Sequence, residues 1–373
     1  MFHLMFSLPC VVVLIRWLLP LPLAGRTKLA GAVVLVLASQ YHLWSRFSSG
    51  SVFSPEFPKS LIILFNWAFG AMLLLAVFQL VLDVGALVLA LVRRRRVPIP
   101  ARLRGAIGVT AMLLAALGVM QAIKPPPLKD VQIAIKDLPR ELDGYRVLHL
   151  TDLHISRLFD AAWTRKLVDD ANALGADLIV ITGDLIDGDV AKREADVAAL
   201  RDLRARDGVW VIPGNHEYFF GHSEWMAYFA GLNMRPLDNR HTIISRGSGQ
   251  LVLAGVNDVT APRTGAPAPD LDAALRGAPS GVPVVLLDHQ PRNARFSASR
   301  GVALQLSGHT HGGMILGLDR VVARANNGFV SGRYEVDGMT LYLNNGTALW
   351  PGFALRLGVP AELTRITLRR QAF

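Results

Sequence analysis

The chain has almost no cysteine. One, Cys10, stands among 373 residues, so no intrachain disulfide is possible and cysteine usage assigns no redox compartment. A Gly-x-Ser-x-Gly elbow is also missing, which leaves neither of the common motifs for a covalent nucleophile. No internal repeat and no long low-complexity tract is present; the nearest is the Ala- and Pro-rich stretch Ala261–Asp270, which reads as a surface loop. Acidic residues are scarce in one half only. Residues 1–128 hold 12 Lys and Arg against 2 Asp and Glu, an excess of ten positive charges, whereas residues 129–373 hold 27 of each sign. A pI near 10.2 raises nucleic acid as a partner. However, the whole excess lies between apolar runs, where retention of basic loops in the cytoplasm accounts for it. Nucleic-acid binding is therefore rejected.

What is abundant is apolar sequence, 51% of all residues, and the excess is local. Long runs cover Leu4–Leu23, Leu29–Trp44, Leu61–Val92 and Gly105–Ile123, each near or above the roughly 17–20 residues that cross a bilayer. They predict four transmembrane helices, a multi-pass region over residues 1–124. Pro9, Pro20, Pro22 and Arg16 interrupt the first run, so an interfacial helix is its alternative. The richest basic cluster, Arg93–Arg96 with Arg102 and Arg104, is a short loop without acids and is expected in the cytoplasm. The next span then carries residues 129–373 to the other side, the periplasmic face of an inner (plasma) membrane. Arg16 and Asp83, polar residues inside apolar runs, read equally as functional groups and as helix-packing residues.

Lys124-Pro125-Pro126-Pro127 is a stiff spacer, placing a boundary at residues 125–128 and one domain over 129–373. Strands are expected at Arg146–Leu150, Leu178–Thr182 and Val209–Ile212, with amphipathic helices Ala161–Leu174 and Val190–Ala205 between them. From His241 onward strands follow more directly, at Thr242–Ser245, Leu251–Gly255, Val284–Leu287, Val302–Leu306, Met339–Leu343 and Leu363–Leu368. This is an α/β domain of about 245 residues, large enough for a substantial core.

Five of these strands end in metal-type ligands: Asp152-Leu153-His154, Gly183-Asp184, Gly214-Asn215-His216-Glu217, Asp288-His289 and Gly308-His309-Thr310-His311. In an extended segment residues i and i+2 share a face, which would put His309 beside His311 and Asp152 beside His154. A lone His-x-His reads at least as well as a pair of satisfied loop histidines. Five such blocks, all at the carboxyl ends of strands where α/β sheets collect ligands, read as a metal site.

In their order and content these blocks resemble the calcineurin-like metallophosphoesterase superfamily, over about residues 145–370. The stretches Leu341–Gly346 and Arg356–Glu362 resemble its membrane-associated bacterial branch. The resemblance implies an α/β/β/α sandwich and two divalent metal ions, with Mn, Fe or Zn suited to mixed imidazole and oxygen ligands. It implies Asp152, His154 and His311 on one metal, Asn215, His289 and His309 on the other, and Asp184 bridging. It gives His216 the scissile phosphate and the leaving oxygen. Asp187 matches the acid that orients this histidine in some relatives, and reads equally as a turn former before Gly188. Attack on a phosphodiester or phosphomonoester by hydroxide held between the metals follows.

Phosphoprotein phosphatases of the superfamily carry arginines where this chain has Gly188 and Pro213, which disfavours phosphoproteins as substrates. A lipid or envelope phosphoester is expected instead, with membrane lipids as partners. Two other readings stand beside it: a pyrophosphatase acting on nucleotide-sugar lipids, and a non-enzymatic metal module regulating a four-helix transporter or sensor. His149, His222 and His241 belong to no motif; His149 reads as a packed strand histidine.

Overall fold

The structure, a computed structural model, describes residue 5 and residues 7–371; Leu4, at the head of the first apolar run, lies outside the described residues. It divides into two units. The first comprises Met1–Ile123 with Trp350–Leu357, and the second Lys124–Leu349 with Gly358–Phe373.

In the first unit two helices, Lys59–Arg93 and Ala101–Ile123, are long and apolar enough to cross a membrane. At about 1.5 Å per residue they exceed the roughly 30 Å of a hydrocarbon core. The other two expected spans are shorter. The first is a helix over Ser7–Val12 continuing as a π-helical stretch Val13–Leu18, and it stops at Leu19, before Pro20 and Pro22. The second breaks at Gln40 into Gly25–Ser39 and Tyr41–Ser49. The expected four-helix transmembrane region is thus met by only two helices of spanning length among the described residues.

The loop Trp350–Leu357 is held among these helices. Tyr41 Oη and Asn66 Nδ2 both donate to Pro351 O at 2.8 Å, Asn66 Oδ1 accepts from Ala354 N at 2.6 Å, and Arg356 N donates to Gly118 O at 3.0 Å. Leu355 lies over Gly70 and Gly118; a Cβ on either would come within 2.4 or 2.7 Å of its side chain. Nothing in the sequence marked this loop as part of the helical unit.

Among the described residues the second unit holds twelve strands in two mixed six-stranded sheets. They are β1 (Leu128–Ile135), β2 (Arg146–Leu150), β3 (Leu178–Ile181), β4 (Val209–Val211), β5 (Met234–Pro236) and β6 (Arg240–Arg246), then β7 (Gly249–Gly255), β8 (Val284–Leu287), β9 (Leu304–Ser307), β10 (Gly332–Val336), β11 (Met339–Leu343) and β12 (Leu363–Arg370). One sheet has the order β1-β12-β2-β3-β4-β5 and the other β10-β11-β9-β8-β7-β6. In the first, β2, β3, β4 and β5 run parallel; in the second, β11, β9, β8 and β7 do.

The two-residue alternation of side chains builds the layers. From β3, Leu178 and Val180 face a core shared with Leu253, Val285 and Leu304 of the other sheet. Ile179 and Ile181 face the opposite way, against Leu167 and Val168 of the helix Ala161–Ala173 and Trp225 and Phe229 of the helix His222–Gly231. On the second sheet Ala254, Leu286 and Leu341 turn outward onto Leu271, Ala274 and Ala294. Two sheets with helices outside each make the expected α/β/β/α sandwich. Burying one such Leu, Ile or Val contributes about 1.5–3 kcal/mol relative to leaving it in water.

Candidate metal centre

All five segments with candidate ligands leave the sheets at carboxyl ends: Asp152 and His154 after β2, Asp184 after β3, Asn215 after β4, His289 after β8, and His309 with His311 after β9. Because β2, β3 and β4 are parallel neighbours, and β8 and β9 likewise, the loops converge at one rim. Ligand atoms of Asp152, His154 and His311 lie within 4.8 Å of one another, and so do those of Asp184, His289 and His309. Asp184 also falls within that reach of His154 and His216. Asn215 Oδ1 is 3.2 Å from His289 Nε2, which completes the second group.

The backbone achieves this differently from the alternation expected at the strand ends. β2 stops at Leu150 and β9 at Ser307, and beyond them the chain leaves extended geometry. Asp152, His154, Asp184, His309 and His311 all have positive φ, from 43° to 71°. Non-glycine residues enter this left-handed region at a cost of about 1–3 kcal/mol each, and such strain gathers at functional sites. One consequence is a correction: His309 and His311 do not share a side. His311 Nε2 approaches His154 Nε2 at 3.3 Å and Asp152 Oδ1 at 3.5 Å, whereas the His309 ring sits by His289.

Two glycines permit the close approach. A Cβ on Gly308 would lie 2.1 Å from Thr151 Oγ1 and 2.3 Å from Asp152 Oδ2; one on Gly214 would lie 2.3 Å from Asp184 Oδ1. Any side chain at either position would displace a ligand loop.

Hydrogen bonds on the far ring nitrogens orient the imidazoles. His289 Nδ1 is 2.7 Å from Thr182 O, and His154 Nδ1 is 3.0 Å from Asp187 Oδ2. Each leaves Nε2 aimed into the cluster, the usual outer support of a metal-bound histidine. With its Nδ1 directed at Asp187, His154 presents Nε2 to His311 Nε2 at 3.3 Å. Two ligands of one ion, each about 2.1 Å from it, would be separated by a similar distance. The donor set of imidazoles, carboxylates and one amide, without thiolate, fits divalent ions.

Asp187 serves two rings at once, because its other oxygen meets His216 Nδ1. It is fully buried, and its loop is fixed by Arg193 Nε on Asp187 O at 2.9 Å and Trp225 Nε1 on Gly188 O at 3.0 Å. Burial would push His216 down; Asp184 and Asp187 beside it outweigh that and hold its pKa up to about 9. Burial and His289 likewise oppose each other at Asp152, where burial wins and the carboxyl is raised.

Glu217, to which its motif assigns no role, is fully buried. Its Oε2 accepts from Gly214 N at 2.7 Å and Asp184 N at 2.9 Å, and its Oε1 from Leu185 N at 2.8 Å. It ties the loop after β3 to the loop after β4. Its spacing, three residues after the glycine that caps the short helix Asn215–Phe219, was the available signal. His149 is buried and bonded to Thr182 Oγ1 at 2.8 Å, and its pKa is lowered to about 3 by burial, so it is a packed strand residue. His222 stacks on Tyr218, and His241 binds Ala274 O; neither joins the cluster.

Comparison with known proteins agrees with this geometry. Residues 145–313 match the family described as calcineurin-like phosphoesterase. A transmembrane protein with metallophosphoesterase domain from Bos taurus is 35% identical over 281 residues, covering 72% of this chain and 63% of its own. A metallophosphoesterase of Campylobacter jejuni is 31% identical over 70% of this chain and 68% of its own, and YkuE of Bacillus subtilis 27% identical over 68% and 89%. The chain thus spans less than two thirds of the length of the Bos taurus relative. From the strand-end ligands, their convergence and these relatives, the chain belongs to the calcineurin-like phosphoesterase family of metal-dependent phosphoester hydrolases.

Proposed function

We propose that this protein is a multi-pass membrane-anchored phosphoesterase that works with two divalent ions, Mn, Fe or Zn, on a lipid or envelope phosphoester. The observation that carries it is the position of Asp184, within ligand reach of both His154 and the pair His289 and His309. Its Oδ2 lies 3.9 Å from His154 Nε2 and 3.3 Å from His289 Nε2, while Oδ1 accepts from His216 N, so a carboxylate oxygen that faces both groups would be shared between two ions. Bound divalent ions supply Lewis acidity to the phosphoryl group and lower the pKa of a water molecule. Asp152, His154 and His311 would hold one ion, and Asn215, His289 and His309 the other.

His216 stands beside this set without being needed to complete it. Buried and raised to about 9, it carries a proton at neutral pH and can give it to the leaving oxygen. Asp187 fixes the ring through Nδ1, so that Nε2 faces the site.

Membrane attachment rests on the two long apolar helices and on relatives whose names include the word transmembrane. Only residues 124–127 separate the helix ending at Ile123 from β1. A site tethered so closely meets membrane-borne substrates at raised effective concentration. With the Arg93–Arg96 loop in the cytoplasm, the catalytic unit is extracytoplasmic, which disfavours nucleotide-sugar lipids. The test is to assay the purified full chain on a generic phosphodiester, a generic phosphomonoester and extracted lipids, with Mn, Zn or Fe supplied separately. Hydrolysis that needs added metal and favours the lipid supports the proposal; metal-independent turnover, or none on any of the three, refutes it.

A further inference from the structure

A second polar cluster lies in the helical unit, outside the hydrolytic site. Arg16 Nε and Nη2 grip Asp83 Oδ2 and Oδ1 at 2.9 and 3.1 Å, and Gln79 Nε2 donates to the same carboxylate at 2.9 Å. This pair edges a cavity of 680 Å³ whose wall also includes Ala90, Arg96, Pro98 and Arg104. Arg104 is 8% exposed, and its Nε and Nη1 have no hydrogen-bond partner among the described residues. The one carboxylate on the wall among the described residues, Asp83, already serves Arg16 and Gln79. Three guanidiniums against one carboxylate leave the cavity with an excess of two positive charges.

A buried guanidinium with unmet donors is expensive unless an anion meets it. Arg104 sits in the first turn of the helix Ala101–Ile123, where the helix dipole also favours negative charge. Guanidinium forks suit phosphate oxygens. The rest of the wall, Ala86, Leu87, Ala90, Val97, Pro98 and Ile99, is apolar. A wall that combines guanidiniums with hydrocarbon side chains has the chemistry that meets a phospholipid at the membrane interface.

We infer that this cavity binds the phosphate of an anionic phospholipid, with Arg104 and Arg96 on the phosphate and the apolar wall along the glycerol and acyl chain. The site is distinct from the catalytic centre, so the inference stands or falls separately from the proposed reaction. It concerns a resident lipid that is bound and not cleaved.

The test uses the full chain in neutral detergent with chelator, which suppresses turnover of the probe. Binding of radiolabelled phosphatidylglycerol is measured against phosphatidylcholine and inorganic phosphate. Phosphatidylglycerol should be retained and phosphatidylcholine not. Arg104→Gln should weaken retention on the order of tenfold. Ala90→Trp, which fills the cavity without changing charge, should do the same, and it keeps the test valid if Arg104→Gln fails to fold. Arg95→Gln removes equal charge from a residue off the wall and should leave binding within about twofold. The inference is overturned if both cavity variants bind like the parent, if Arg95→Gln loses as much as Arg104→Gln, or if inorganic phosphate displaces the lipid at equal concentration.

Discussion

At the scale of single residues, His216 and Asp187 can be told apart from the ligands they touch. His216→Ala should keep its metal while turnover falls by roughly 10²–10⁴, the usual loss for a missing acid or base. If metal content fell in parallel, His216 would be a ligand. Asp187→Asn keeps an acceptor for His216 Nδ1 but removes a negative charge that holds the ring's pKa up. A general acid must be protonated, so activity declines as pH rises through that pKa. Removing the charge lowers the pKa, and the basic limb of the pH–rate profile should move to lower pH at saturating metal. An unmoved limb would assign it to another group. Which residue types gather at the site was legible, because Asp, Asn and His at five strand ends have few other common explanations. Their backbone was not, since the left-handed conformations of Asp152, His154, Asp184, His309 and His311 arise from tertiary contacts that no local pattern records.

At the scale of elements, Glu217 fastens two ligand loops through three backbone N–H groups. Glu217→Ala leaves those buried donors unpaired and should cost about 3 kcal/mol of stability, read as a lower urea midpoint of the catalytic unit. Glu217→Gln retains an accepting oxygen and should cost less; equal losses would mean that the charge, not the bonding pattern, matters. Strands with strong apolar or alternating runs were readable, and β8 and β11 keep the bounds expected for them. Three were missed for separate reasons. β5 is three residues long and contains Pro236; β10, with Arg333 and Glu335 exposed on one face, looks like a polar loop. β1 directly follows three prolines, and no strand is expected there, yet it pairs in parallel along the whole of β12. Long-range pairing, absent from any local window, makes it a strand. The expected helix Val190–Ala205 is shorter: its α-helical part ends at Val197 and the chain tightens into a 3₁₀ turn over Ala198–Asp202.

At the scale of the whole molecule, charge asymmetry predicts orientation. A reporter active only outside the cytoplasm, fused after residue 373, should be active, and one fused within Arg93–Arg104 should be silent. The reverse pattern would return the site to the cytoplasm and revive nucleotide-sugar lipids as substrates. The chain leaves the catalytic unit not only at Ile123 but again for Trp350–Leu357. A soluble piece starting at Lys129 would therefore lack both β1's first residue and the helices that hold this loop. The account as a whole depends on Asp184 joining two ions in one site. The most direct measurement is metal content per chain alongside turnover of a generic phosphodiester, for the full chain and for Asp184→Asn. The parent should hold about two ions per chain, and the variant should hold fewer than one and hydrolyse nothing. A variant that kept its metal and turned over at the parent rate would contradict the two-ion site.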